Sequence, residues 1–161
     1  MTTRGRPRTK FAVDAMLGSL ARKLRAFGFD ASYYKAGDDT GLLQTALNEG
    51  RILLTSDFAL ASRAASKQVK AILLTQKGDG ARIAAIAKAC KEDRTSLSRG
   101  DPMCSLCGGE LERLRKDGLS TDVPPSVLAS HRLFFRCLGC GQVYWRGSHW
   151  KKLRSLARRL S

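Results

Sequence analysis

Two hydrophobic rhythms alternate along the first part of the chain. Phe11-Ala-Val13 is a short apolar run closed by Asp14, which predicts a strand. Residues 16–27 place Leu17, Leu20, Leu24 and Phe27 at helical spacing, and Gly28 stands where a helix-ending glycine belongs. Residues 30–34 predict a second strand, and Asp38, Asp39 and Thr40 offer N-cap chemistry to a helix over 41–49 that ends at Gly50. Residues 52–55 are apolar almost throughout, as expected of a strand covered on both faces. Ser56-Asp57 caps a helix over 58–66, residues 69–74 form a fourth buried strand, and 79–90 a further helix. This alternation, with short connections and right-handed crossovers, predicts an α/β fold with a doubly wound parallel sheet.

The rhythm stops after Lys91. Residues 91–103 are charged and turn-rich, ending in Asp101-Pro102, and place a boundary there. Beyond it, Cys104-Ser-Leu-Cys107 and Cys137-Leu-Gly-Cys140 form two CxxC pairs, each followed by glycine. Knuckle turns of this kind let backbone amides face thiolates and hold four sulfurs around one Zn²⁺. Strand character at 110–116, 133–136 and 142–145 completes the layout of a zinc ribbon. The fifth cysteine, Cys90, sits beside Ile86 and Ala87 and is expected to be a small core residue. Residues 150–160 put Trp150, Leu153, Leu156, Ala157 and Leu160 on one side of a helix, with basic residues on the rest. Such a helix can dock on the body and show its charges to RNA, or lie on an anionic membrane surface. The expected organisation is a basic arm over 1–10, an α/β domain over 11–98, a zinc ribbon over 99–150 and a basic helix over 151–161.

Charge changes the picture. The chain of 161 residues carries a formal net charge of +15. Residues 1–98 hold 17 basic and 9 acidic groups, and 99–161 hold 12 and 5, so the excess is not confined to one tail. A positive field of this extent attracts polyanions, and RNA is the expected partner, with a ribosome or ribonucleoprotein as a further candidate. No apolar run is long enough to span a bilayer, and MTTRGRPRTK at the start has no secretory character. A cytoplasmic location and no membrane partner follow as expectations, in keeping with paired cysteines as metal ligands. The oligomeric state is not encoded in any pattern.

Within this basic chain the carboxylates stand out. Asp14 closes the first strand, Asp57 follows the third, and Asp38 and Asp39 lie between the second strand and the next helix. If the first three strands lie side by side, these acids converge at the carboxyl edge of the sheet. Oxygen ligands so gathered suit Mg²⁺ or Mn²⁺. Helix capping alone accounts for Asp39 and Asp57, but is not expected to account for Asp14.

Three stretches then resemble one family in order and spacing. Residues 11–28 (FAVDAMLGSLARKLRAFG), residues 50–57 (GRILLTSD), and the paired cysteines with residues 143–150 (VYWRGSHW) resemble the Mut-seven-C ribonuclease domain over about residues 10–150. The resemblance implies a PIN-like body, an appended zinc ribbon and metal-dependent endoribonuclease chemistry, with Asp14, Asp57 and one of Asp38 and Asp39 as catalytic acids. Arg22 and Arg25, one turn apart on the first helix, are candidates for a phosphate near Asp14. His149 and Arg146 beside Trp145 and Trp150 have the make-up that unpaired bases favour, although for the tryptophans themselves packing of the ribbon on the body is the favoured expectation. Lys151, Lys152 and Arg154 add basic helix-face contacts to RNA. A second reading of the same residues is an RNA-binding or ribosome-associated adaptor with weak chemistry or none, since no carboxylate follows Asp57 in Phe58-Ala-Leu60.

Overall fold

The computed structural model describes residues 7–34, 38–119 and 123–161, so residues 1–6 of the expected basic arm lie outside it. Strands β1 (Lys10–Val13), β2 (Asp30–Tyr33), β3 (Ile52–Thr55) and β4 (Ala71–Leu73) form one parallel sheet in the order β2-β1-β3-β4. Between and after them run α1 (Gly18–Ala26), α2 (Asp39–Glu49), α3 (Phe58–Ser66) and α4 (Asp79–Glu92). Each strand sends alternate side chains to opposite faces. Phe11, Val13, Ile52 and Leu54 join α1 and α4 in one core, while Ala12 and Leu53 join α2 and α3 in the other. The two-sided burial explains why β3 is apolar without alternation. Cys90 is buried in the first core, as its helical neighbours suggest.

The first helix does not start where the apolar spacing begins. A 3₁₀ turn, Ala15–Leu17, precedes α1, and Asp14 caps it by accepting the Ala15 amide at 2.7 Å. Capping therefore contributes to Asp14 too, contrary to expectation.

A second, antiparallel sheet has the order β5-β6-β7, from Leu111–Leu114, Phe134–Cys137 and Val143–Trp145. A short helix, α5 (Pro125–Ser130), was not legible in advance, though Pro125 at its first turn is the usual signal. Leu119, Val123, Phe134 and Val143 form a small core beside it, more than the sequence promised for this module.

The last helix, α6 (Ser148–Ala157), with the 3₁₀ turn Arg158–Leu160, settles between the two alternatives of docking and membrane contact. Ala157 and Leu160 are buried in the α1–α4 core, and Leu153 and Leu156 pack on it. The C-terminal part of the apolar stripe is thus covered by the body, while Trp150 stays outside that core, and among the described residues no helix is long and apolar enough to cross a membrane.

The connection between the two sheets is made at the end of α1. Gly28 has φ +94°, and a Cβ there would meet the Gly100 carbonyl oxygen at 2.0 Å. The Gly100 amide donates to the Gly28 carbonyl at 2.9 Å, and the Met103 amide to the Arg25 carbonyl at 3.0 Å. Arg25 itself is buried. Its Nε donates to the Ala31 carbonyl of β2 at 2.8 Å, and its Nη1 to the carbonyls of Ser105 at 3.2 Å and Leu106 at 2.9 Å. The expectation that Arg25 meets a phosphate fails for this reason: the residue is buried, and its Nε and Nη1 are taken up inside the protein. Helical spacing placed Arg22 and Arg25 on one face, but the first cysteine knuckle covers Arg25 and leaves Arg22 exposed.

Arg25→Met keeps the apolar stem but leaves buried carbonyls without a donor, and is expected to lower stability by about 2–4 kcal/mol. Urea unfolding of the zinc-loaded protein measures it; a loss under about 0.5 kcal/mol would show that the joint does not depend on the guanidinium.

Candidate functional site

The carboxyl edge of the parallel sheet holds the predicted acids. With β1 between β2 and β3, the chain reverses its direction of winding between β1 and β3, and the crevice at such a point is where open α/β sheets bind ligands. Asp14 and Asp57 stand on either side of it. They are joined by Thr55, whose hydroxyl donates to Asp14 Oδ2 at 2.8 Å and accepts the Asp57 amide at 3.0 Å. Asp14 is 9% exposed, and both its oxygens are oriented by donors. Asp57 is exposed and N-caps α3, its Oδ1 accepting the Ala59 and Leu60 amides at 2.8 and 3.2 Å. Its Oδ2 has no hydrogen-bond partner among the described residues. Thr55 was not singled out in the sequence; the signal was a lone hydroxyl residue closing the apolar run Ile-Leu-Leu.

The acids after β2 are arranged differently. Asp38 caps α2 through the Gly41 amide at 3.0 Å, and Asp39 pairs with Arg63 at 3.4 Å. A fifth acid at this edge, Asp79, is the first residue of α4. Ser19 and Lys23 of α1 reach its Oδ2 at 2.7 Å each, and Arg82 its Oδ1 at 3.2 Å. Burial alone would raise the Asp79 carboxyl, but the hydrogen bonds from Lys23 and Ser19 and the nearby charges bring it below its ordinary value. Among the described residues no three carboxylates bring ligand atoms together as a metal cage. Thr55 links Asp14 to the Asp57 backbone, while Asp38, Asp39 and Asp79 are each engaged in capping or ion pairs. What this donor set fits is a hard, hydrated cation such as Mg²⁺, which takes one or two carboxylates and keeps most of its waters.

The four cysteines do converge. Cys104, Cys107, Cys137 and Cys140 bring their sulfurs within 4.8 Å of one another. The Cys104–Cys140 pair is 3.6 Å apart and the Cys107–Cys137 pair 3.4 Å. A tetrahedral Zn²⁺ bonded to sulfur at about 2.3 Å sets edges of about 3.8 Å, so the cluster is close to the size zinc requires. The Gly109 and Gly139 amides face Cys107 and Cys137 Sγ at 3.3 Å each. Gly108 and Gly141, both at φ +77°, turn the chain after each pair in a conformation that side chains disfavour. Tyr144 Oη reaches Cys104 Sγ at 3.0 Å. Burial would raise the Cys104 thiol, yet this hydrogen bond and the knuckle amides push it down to about 6. The Gln142 amide acts to lower Cys140, but its surroundings and the neighbouring sulfurs push it up to about 12. Sulfurs this close share protons when no cation is present, and a divalent ion relieves that crowding.

The predicted RNA-contacting residues divide by exposure. Arg22, Arg146, His149, Lys151, Lys152 and Arg154 are exposed, whereas Arg25 is not. Arg146 stacks over Phe135 at 5.7 Å and Trp150 at 5.3 Å. Trp145 is 38% exposed and Trp150 half-buried, and neither belongs to a buried core cluster.

Two outcomes are expected. Cys137→Ser should release the metal and unfold the antiparallel module while leaving the parallel sheet's helical signal, because metal binding and folding are one free energy in such modules; elemental analysis and circular dichroism together read it. Asp79→Asn should cost about 1–2 kcal/mol at neutral pH. The wild-type carboxyl titrates below its ordinary value, so its contribution is present above about pH 5 and fades as pH falls below about 4. The two proteins should converge in stability in acid, and a pH-independent gap would contradict this ionic role.

Neither the curated proteins nor the solved structures contain a match to the chain. The model of one family, the Mut7-C RNAse domain, matches residues 9–157. That span takes in the carboxyl edge, the four-cysteine cluster and the whole of α6, and on this match the chain belongs to the Mut7-C RNAse domain family.

Proposed function

We propose that this protein is a metal-dependent ribonuclease with a PIN-like body, cutting RNA internally, whose four-cysteine module is a structural zinc ribbon. The observation that carries the reading is the Asp14–Thr55–Asp57 array at the β1/β3 crevice, in a chain of the Mut7-C RNAse domain family. Asp14 is held rigid by its two donors, and Asp57 leaves one oxygen free for a ligand. A bound Mg²⁺ or Mn²⁺ would supply neutralisation of charge on the scissile phosphodiester. Asp14 and Asp57 would hold it, with Asp38 as an accessory acid from the neighbouring loop. Asp39 is the weaker candidate because Arg63 already pairs with it. Without a cation these carboxylates repel the phosphate chain. Arg22, Arg146, His149, Lys151, Lys152 and Arg154 would draw the strand in, aided by the net charge of +15.

One observation favours a second reading, an RNA-binding or ribosome-associated adaptor: among the described residues no three carboxylates gather as a metal cage. The readings part on turnover. Asp14→Asn and Asp57→Asn are each expected to reduce Mn²⁺-dependent cleavage of single-stranded RNA by at least about a hundredfold, since an amide offers a hard cation no charge. RNA affinity without divalent ions should hold or improve slightly. Asp57→Asn should leave stability nearly unchanged, because Asn caps a helix about as well as Asp. Gel assays on a broad RNA panel decide: wild type that binds but never cleaves is the adaptor, and mutants that cleave like wild type place the chemistry elsewhere.

A further inference from the structure

A groove of about 570 Å³ lies between α1, the connector at 101–103, the antiparallel sheet and α6. Its walls are mostly apolar and flat. Both tryptophans of the chain, Trp145 and Trp150, line it, together with Phe135 and Tyr144. Its cations are Arg22, Lys23 and Arg146, against the single acid Asp101. Lys23 is paired with Asp79, but Arg22 and Arg146 have no acidic partner among the described residues. Stacking over Phe135 and Trp150 fixes the plane of the Arg146 guanidinium, which leaves its N–H edge for an anion.

This combination selects its occupant. Flat aromatic walls favour a planar group with two apolar faces, and unpaired guanidiniums favour an anion attached to it. An unpaired nucleobase with its phosphate has both. A base stacked in a duplex offers no free face, and a simple anion has no use for the aromatics. Location supports the same occupant. The groove begins at Ser19, in the first turn of α1, and Asp14 caps the turn just before that helix. Arg22 follows one helical turn later, about 5 Å further along.

We propose that this groove is a base-binding subsite that takes an unpaired nucleotide flanking the cleavage point and so restricts the enzyme to single-stranded RNA. The inference rests on the ribonuclease reading above for its substrate. Strand selection then comes from the wall shared by zinc module and C-terminal helix, while the carboxyl edge is indifferent to it.

The two tryptophans provide the measurement, because both lie in the groove. The full-length zinc-loaded protein, without added Mg²⁺ or Mn²⁺, is titrated with oligouridylate of about eight nucleotides, a length within the range of single-strand sites. Saturable quenching of tryptophan fluorescence is expected. Arg22→Gln and Trp145→Ala should each weaken binding about tenfold, the scale of losing one stacked base or one phosphate contact. Arg22 is exposed and has no hydrogen-bond partner among the described residues, so its variant keeps the test valid if Trp145→Ala folds poorly. RNA that binds by filter retention without changing the fluorescence overturns the groove and leaves the ribonuclease reading intact. Duplex RNA of equal length that quenches as strongly overturns single-strand selection. Anionic phospholipid vesicles that quench while the oligonucleotide does not would assign the groove to a lipid surface. Wild type that neither binds nor cleaves RNA overturns both proposals together.

Discussion

A guanidinium buried away from water needs a partner for nearly every donor, and Arg25 finds its partners among carbonyls rather than acids. One donor goes to β2 and one nitrogen to the first cysteine knuckle, so a single side chain ties the parallel sheet to the metal module. Burial lowers the Arg25 pKa, and the nearby Cys107, Cys104 and Asp30 oppose that effect. The residue stays charged, and the fork of fixed N–H vectors sets the distance between the two sheets. The approach of Gly100 to Gly28 is possible only because nothing projects from Gly28. Everything on the far side of that joint, including the position of β7 and the start of α6, inherits its placement.

Two long-range closures complete the frame. Asp79, Lys23 and Ser19 hold α1 against α4 at the carboxyl edge, and the end of α6 settles on the same pair of helices through Ala157 and Leu160. The crevice with Asp14 and the aromatic groove are therefore two openings along one helix, α1. Exposed Met16 (76%), two residues after Asp14, and Phe58 (74%), directly after Asp57, give that edge apolar side chains beside its charges.

The elements that depend on local periodicity were legible in the sequence. β3 and α3 match their expected spans, and the parallel sheet follows from the strand–helix alternation, although its order, β2-β1-β3-β4, does not. The cysteine cluster was legible because ligand spacing is a local property. What was not legible depends on contacts distant in the chain. Arg25 looks like Arg22 until a knuckle some eighty positions later covers it. Asp39 looks like Asp38 until Arg63 arrives from α3. Thr55 is an ordinary strand residue until Asp14 lies opposite. Periodicity gives the face of a helix, but not which part of that face another segment will cover.

The chemistry of the Arg25 joint has a practical consequence. Ion pairs on a wet surface weaken as salt screens them, within a Debye length of about 10 Å at 0.1 M and less above it. A charge enclosed by carbonyl dipoles has no mobile ions near it and does not share that weakness. Strong brine should therefore strip adhering polyanions from the basic exterior while the two halves stay in register. Ionic strength thus acts on the basic exterior and spares the joint, so a preparation can be cleaned by salt without loosening the two sheets from each other.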